Sequence, residues 1–317
     1  MSSRIPGRLR DQVRANAASM NLPRPPRSMI KEIQAKVLLS SARRPDPWFG
    51  IKYTMNLYRG CQHQCIYCDS RSECYQIENF ADILIKANAI DLLRKELARK
   101  RIKGTIGAGS MNDPYMPLEA RVNLTGRALS IIAEFRFPVH VITKSALVLR
   151  DLDTLREISR EYAAVSFTVT TADDALGKKL EPGASLVSER FRAMQVLASN
   201  GVLTGVTMMP ILPFIEDTQE NITQIVTRAH ECGAAYILPA FGMTLRDRQR
   251  AYYYDKLDEL FPGLRRKYKE RFGERYSASA LDANKLDKLF HEWCARYGIA
   301  TRMPMYAPAM GTQMRLL

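Results

Sequence analysis

Three cysteines stand within eight residues of this 317-residue chain, in the segment Cys61-Gln-His-Gln-Cys65-Ile-Tyr-Cys68. The spacing C-x3-C-x2-C puts three soft thiolates on one short loop. Such a set can ligate three irons of a 4Fe–4S cubane and leave the fourth iron open to a chelating substrate or cosubstrate. The alternative is zinc, held by Cys61, Cys65, Cys68 and either His63 or Cys74. Structural zinc usually joins two separated ligand pairs, and no second C-x2-C or H-x3-H completes one here. Cys74, Cys232 and Cys294 are scattered and are expected to be buried or incidental thiols. This layout makes a poor disulfide framework and suits a metal site in a reducing compartment. The histidines at 63, 140, 230 and 291 lack metal-like spacing, and neither a Walker-type glycine loop nor a nucleophile elbow occurs.

A loop of this kind needs a scaffold that holds it over a binding surface. Strand patterns are expected at 51–57, 105–109, 139–143, 164–170, 203–208 and 235–238. Helical patterns follow at 80–101, 124–135, 151–162, 188–199 and 218–232. In the first of these, Ile83, Ala87, Ile90, Leu93 and Leu97 fall on one helical face. Repeated β–α units with apolar strands imply a parallel sheet with helices outside it. Six units fall short of the eight of a closed barrel, so the expected fold is α/β, a partial (β/α)6 barrel. Ligands of such sheets gather at the C-terminal ends of the strands. The cysteine loop and the segments 110–113, 144–145, 170–171 and 210–213 all fall at or just beyond such ends.

Three regions are expected: a loose basic leader over 1–46, the core over 47–245, and a helical C-terminal extension over 246–317. A short helix at 29–39 is expected within the leader. The net charge of +14 is concentrated at the flanks. Residues 1–46 carry ten Lys/Arg against three Asp/Glu, and 246–317 carry fifteen against nine; the core is close to neutral. Basic flanks attract polyanions, which makes nucleic acid a candidate partner, with a solvated surface as the alternative. Arg246, Arg248 and Arg250 beside Tyr252-Tyr253-Tyr254 could grip phosphates and stack bases, but the helical setting makes a half-buried amphipathic helix the preferred explanation. No apolar run approaches the ~20 residues of a membrane span, and no secretory signal is recognisable, so a cytoplasmic location is expected.

The cysteine motif resembles that of the radical S-adenosylmethionine superfamily. With it, Asn56-Leu-Tyr-Arg-Gly-Cys61, Asp113-Pro114-Tyr115, Ile142-Thr-Lys-Ser145 and Lys179-Leu-Glu-Pro-Gly183 resemble the spore photoproduct lyase-like branch, often described as DNA repair photolyase-related. The resemblance implies a 4Fe–4S cluster on Cys61, Cys65 and Cys68. It implies S-adenosylmethionine bound at the open iron, and an external one-electron reductant of flavodoxin or ferredoxin type. Reductive cleavage would give methionine and a 5′-deoxyadenosyl radical that abstracts hydrogen from the substrate. By the same resemblance Tyr67 would stack near the adenine or shield the cluster, and Gly109, Ser110 and Asn112 would line the amino-acid end of the cosubstrate. Lys144 would meet its carboxylate or ribose, and Ser166 or Thr168 its ribose. Spore photoproduct lyases carry a hydrogen-donating cysteine in the segment leading to the second-strand end; here 104–113 contains none. This speaks against repair of the spore thymine dimer itself and leaves Tyr115 or Tyr67 as candidate donors. DNA is the first candidate substrate. A peptide or metabolite, or a non-catalytic metal-bearing nucleic-acid-binding role, is the alternative.

Overall fold

The computed structural model describes residues 29–77 and 79–307, so most of the expected loose leader lies outside the described residues. The expected helix at 29–39 is instead two strands, β1 (Ile30–Ile33) and β2 (Leu39–Ser41). A helix of that length is marginal in water, whereas both strands find sheet partners. β2 pairs antiparallel with β3 (Ile51–Met55), the first strand of the core. The cysteine loop follows the short β4 (Tyr58–Arg59). The expected helix at 80–101 also divides: β5 (Ile83–Lys86) precedes α1 (Ala89–Arg99). Ile83 and Ile85 favour the strand, and their spacing from Ile90 imitates a helical face. β1, β5 and β4 form a small three-stranded sheet.

The remaining units follow the expected order. β6 (Thr105–Ala108) leads through α2 (Glu119–Val122) and α3 (Leu124–Glu134) to β7 (Val139–Thr143). A 3-10 turn (Ala146–Asp151) and α4 (Leu152–Ile158) lead to β8 (Ala163–Thr168). Then come α5 (Asp174–Leu180), α6 (Val187–Ser199), β9 (Leu203–Met208), α7 (Gln219–Glu231) and β10 (Tyr236–Pro239). The large sheet has the order β10-β9-β8-β7-β6-β3-β2, its six core strands all parallel. This is the partial six-unit barrel. α7 starts where the Thr218 hydroxyl accepts from the Asn221 N–H, an N-cap that satisfies one otherwise orphaned donor.

Alternation along the strands gives the sheet two unlike faces. Ile106, Val139, Val141, Val165, Phe167 and Val206 point outward into one continuous apolar core with Leu93, Leu129, Phe191 and Ile225 from the helices. The intervening positions Gly107, His140, Ser166, Thr168, Gly205 and Thr207 are small or polar and point inward.

Beyond the core, β11 (Gly242–Thr244) pairs with β12 (Ser277–Ser279). α8 (Asp247–Leu260) and α9 (Leu264–Phe272) lie between them, and α10 (Ala283–Tyr297) packs on α7. The extension therefore contributes a strand, β12, besides its helices, and pairs it with β11 at the end of the core. Tyr253, Tyr254, Leu257, Tyr268 and Phe272 form a second apolar core with Cys65, Ile66, Tyr67, Leu180 and Leu212. The tyrosine run is thus a packing face. Tyr253 and Tyr268 share a hydroxyl–hydroxyl bond of 2.9 Å, and Tyr252 carries the Arg71 guanidinium 3.6 Å above its ring. Among the described residues, no helix is long and apolar enough to cross a membrane.

Candidate functional site: the cysteine loop and the strand-end rim

The cysteine loop is fastened to several neighbouring segments. The Ile66 N–H donates to the Leu180 carbonyl, and the Gly183 N–H to the His63 carbonyl, each at 2.9 Å. Gln62 accepts from the Leu118 N–H at 2.6 Å, and Gln249 of α8 donates to the Tyr67 carbonyl at 3.1 Å. A Cβ at Gly183 would run into the Gln62 carbonyl, so this close approach requires glycine.

All three thiols are free; Cys61 and Cys65 are buried and Cys68 is half-buried. Burial pushes the Cys61 thiol up to about 12, with the Asp113 carboxylate acting the same way, although its sulfur accepts from the Asp113 and His63 N–H groups. Burial also raises Cys65 and Cys68, against the opposing pull of Lys144. Thiolates here need a compensating positive charge. Among the described residues no three His, Cys, Asp or Glu side chains are grouped so as to hold one metal ion. A cubane instead spreads its ligands over separate corners. His63 is already committed: Nδ1 stands 2.9 Å from the Gly183 carbonyl and Nε2 3.0 Å from Asp113 Oδ2. Cys74 is exposed, with its sulfur 3.3 Å from the Ser72 hydroxyl. Neither residue is placed to complete a four-ligand zinc site. Three thiols, two buried and one half-buried, with N–H donors to one sulfur and a cation alongside, fit an iron–sulfur cluster.

Asp113 ties the loop to the strand ends. It accepts from the Thr143 hydroxyl at 2.7 Å, the Lys144 N–H at 2.6 Å and the Tyr115 N–H at 2.8 Å, besides facing His63. Burial alone would raise this carboxyl; His63 and the two donors from 143–144 hold it down, to about 2. Lys144 has its ammonium 5.8 Å from the Tyr67 ring centroid. Burial would lower it, but Cys65, Glu181, Asp113 and Cys68 outweigh that and keep it charged. Tyr67 donates its phenol proton to Glu181, which also pairs with the buried Arg190 at 2.5 Å. Arg190 and Lys144 hold Glu181 ionised against its burial.

The other expected site residues divide by depth. Gly109 follows β6 at φ +108, where a Cβ would strike the Ile142 carbonyl, so the chain turns there only as glycine. Ser110 is exposed beside it, and Asn112 is buried, its amide donating to the Tyr58 carbonyl at 2.5 Å. Thr168 meets Thr207 at 2.9 Å on the inner face. Ser166 lies one pleat deeper, fully buried, 2.7 Å from His140 Nε2 and 2.6 Å from the Tyr236 hydroxyl. It belongs to a closed polar cluster rather than to the rim. Tyr115 is also fully buried, and its hydroxyl donates to Asp151 at 2.8 Å in the apolar outer layer. That position gives it no route to a substrate as a hydrogen donor. Cys61, Cys65, Cys68, Tyr67, Lys144 and Gly109 remain together at the rim.

Glu181, Arg190 and Glu216 were not singled out from the sequence. Glu181 sits in the Lys179–Gly183 segment, which could have flagged it; Arg190 and Glu216 lie in ordinary-looking helix and loop. Glu216 accepts from the Leu212 N–H at 3.0 Å, and burial pushes its carboxyl up to about 8.

The Radical SAM superfamily model matches residues 55–226. An uncharacterized protein of Mycobacterium tuberculosis is 28% identical over 230 residues, 70% of this chain and 67% of its own. An uncharacterized protein of Methanocaldococcus jannaschii is 33% identical over 193 residues, 60% of this chain and 70% of its own. The radical SAM Nalpha-GlyT isomerase of Pseudomonas phage M6 is 23% identical over 199 residues, 62% of this chain and 41% of its own. Among solved structures, spore photoproduct lyase complexed with dinucleoside spore photoproduct superposes with a TM-score of 0.64 at 15% identity. That match covers 90% of this chain and 91% of the lyase, and the likeness is one of fold.

Proposed function

Because the chain belongs to the radical SAM superfamily and is an enzyme of that kind, we propose that Cys61, Cys65 and Cys68 hold a 4Fe–4S cluster at which S-adenosylmethionine is cleaved, and that the substrate is a nucleic acid. The observation that carries the reading is the placement of three thiols, two buried and one half-buried, in one loop, with Lys144 acting on Cys65 and Cys68. When bound there, the cluster would supply the one-electron reduction that splits S-adenosylmethionine and opens radical hydrogen abstraction from a substrate.

The chain's own residues prepare for this. Asp113 and His63 fix the loop against β6 and β7. The Lys144 ammonium lies among Cys65, Glu181, Asp113 and Cys68, so it balances negative charge on the thiolates. Gly109 brings the backbone close enough for its neighbours Ser110 and Asn112 to meet the amino-acid end of the cosubstrate, and Thr168 faces the same interior for its ribose. Tyr67, held by Glu181, packs beside Cys65 and covers the loop from the side of α8 and α9. The core over 47–245 is the catalytic unit, and 246–317 is its cover.

Nucleic acid as substrate is supported by two features. The flanks are basic. The fold is that of a lyase whose structure holds a dinucleoside photoproduct. The absence of a cysteine from 104–113 separates this chain from spore thymine dimer repair and directs the search to other nucleobase changes. A flavodoxin- or ferredoxin-type protein would supply the electron, in the cytoplasm.

The test is anaerobic reconstitution followed by 5′-deoxyadenosine measurement against UV-damaged DNA, undamaged DNA, RNA and fractionated cell extract. Iron at about four per chain is expected, with a reduced-cluster EPR signal perturbed by S-adenosylmethionine and turnover stimulated by nucleic acid. Zinc without iron, or no cosubstrate cleavage after reduction, would sink the cluster assignment. Stimulation by a protein or metabolite fraction alone would sink the nucleic-acid assignment and leave the radical chemistry intact.

A further inference from the structure

Beside the cysteine loop lies a cleft that shares Asn112 with the reading above and is otherwise unused by it. It has a volume of about 370 Å³ and opens between the small β1-β5-β4 sheet and the turn after β6. Lys86 from the end of β5 and Arg59 from the end of β4 line it, with Gln34, Asn56 and Met111 on the facing walls. The two strands pair antiparallel, which brings these cations to one side of the loop.

Burial lowers the Lys86 ammonium and the nearby Arg59 lowers it further; the Glu96 carboxylate acts the other way. Glu96 is occupied by the N–H groups of Leu38 and Leu39, at 2.8 and 2.9 Å. Among the described residues no carboxylate forms an ion pair with Lys86 or Arg59. The Arg59 guanidinium is oriented by the carbonyls of Tyr75 and Gln76, at 3.4 and 2.9 Å, which fixes its plane without cancelling its charge. Next to them the Asn56 carboxamide oxygen is buried with no hydrogen-bond partner among the described residues, while its amide faces the Met111 sulfur at 3.4 Å.

Two like charges held together in a half-buried cleft repel more strongly than they would in water. An anion between them relieves that repulsion, and an Arg fork with a Lys point charge suits phosphate. The idle Asn56 oxygen asks for an N–H or O–H donor on the same ligand. We propose that this cleft is a substrate subsite for phosphate, with Lys86 and Arg59 on the phosphate oxygens and Asn56 accepting from the group it carries. The nucleic-acid reading above enters only as the source of that phosphate, an internucleotide phosphodiester.

The subsite is tested by acetylation footprinting of lysines on the full, anaerobically reconstituted chain, read by peptide mass spectrometry. Millimolar pyrophosphate should slow labelling of Lys86 severalfold, while sodium chloride of equal ionic strength should not. Arg59→Gln should remove the protection without altering labelling of the exposed Lys103. Equal Lys86 labelling with and without pyrophosphate overturns the proposal. Protection by S-adenosylmethionine alone also overturns it, by giving the cleft to the cosubstrate. An oligodeoxythymidylate provides a second arm. Protection by pyrophosphate but not by the oligonucleotide upholds the phosphate subsite and removes nucleic acid as its source. Oligonucleotide turnover without Lys86 protection does the reverse. Where the oligonucleotide binds, Lys86→Gln should lower the slope of log affinity against log salt by about one, and Lys86→Arg should restore it.

Discussion

The two faces of the large sheet are made from the same strands and answer to different demands. Outward, Val165, Phe167 and Val206 meet helix side chains with no polar atom to satisfy, and their contribution is burial. Inward, Ser166, His140, Thr168 and Thr207 are just as buried, yet every one of them needs a named partner. Substitution outside should therefore act mainly on stability. Substitution inside and at the rim should act on loading, cosubstrate binding and pH response.

The sharpest separation is expected at the rim itself. Cys65→Ala should abolish iron loading and cosubstrate cleavage together while leaving the circular dichroism spectrum unchanged. Retained iron at the wild-type ratio would break the contrast. On the outer face, Phe167→Ala should cost about 3–5 kcal/mol of stability in urea melts. Its folded fraction should keep its iron content per chain.

The inner side also predicts a pH response. Burial lowers His140 to about 3, so the unfolded chain binds the extra proton between that value and the ordinary histidine range. Stability should rise with pH through that window, and this contribution should disappear in His140→Gln. Glu216 works in the opposite sense. With its carboxyl raised to about 8, the folded chain holds the extra proton, so stability should fall as pH climbs from the usual glutamate range through 8. Glu216→Gln should remove that decline. Each group contributes a slope of up to about 1.4 kcal/mol per pH unit, and the two oppose one another between about 4.5 and 6.5. Urea melts across a pH series check both signs. The smallest effect is expected at the cover, where Tyr252→Leu removes the aromatic face under Arg71 and should cost about 0.5–1 kcal/mol.

The same contrast explains what could be read from the sequence. The strands at 139–143 and 203–208 are legible because their apolar and β-branched residues fill the outward positions. The cysteine loop is legible because its three cysteines are local in sequence. The first part of the helix expected over 80–101 failed because Ile83, Ala87 and Ile90 happen to satisfy helical spacing, while β1, distant in sequence, supplies a strand partner. Tyr115 looked available because nothing local reveals Asp151 across the outer layer. Glu181 and Arg190 meet only when the chain folds, so their pairing leaves no periodic trace.

The cover formed by α8 and α9 carries a consequence for biosynthesis. Its tyrosines lie against Cys65 and Tyr67, yet about 180 residues separate Cys68 from the start of α8. At ribosomal rates of roughly 5–20 residues per second, the three thiols emerge on the order of ten seconds or more before the segment that encloses them. The order of synthesis therefore leaves the loop open first and closes it afterwards.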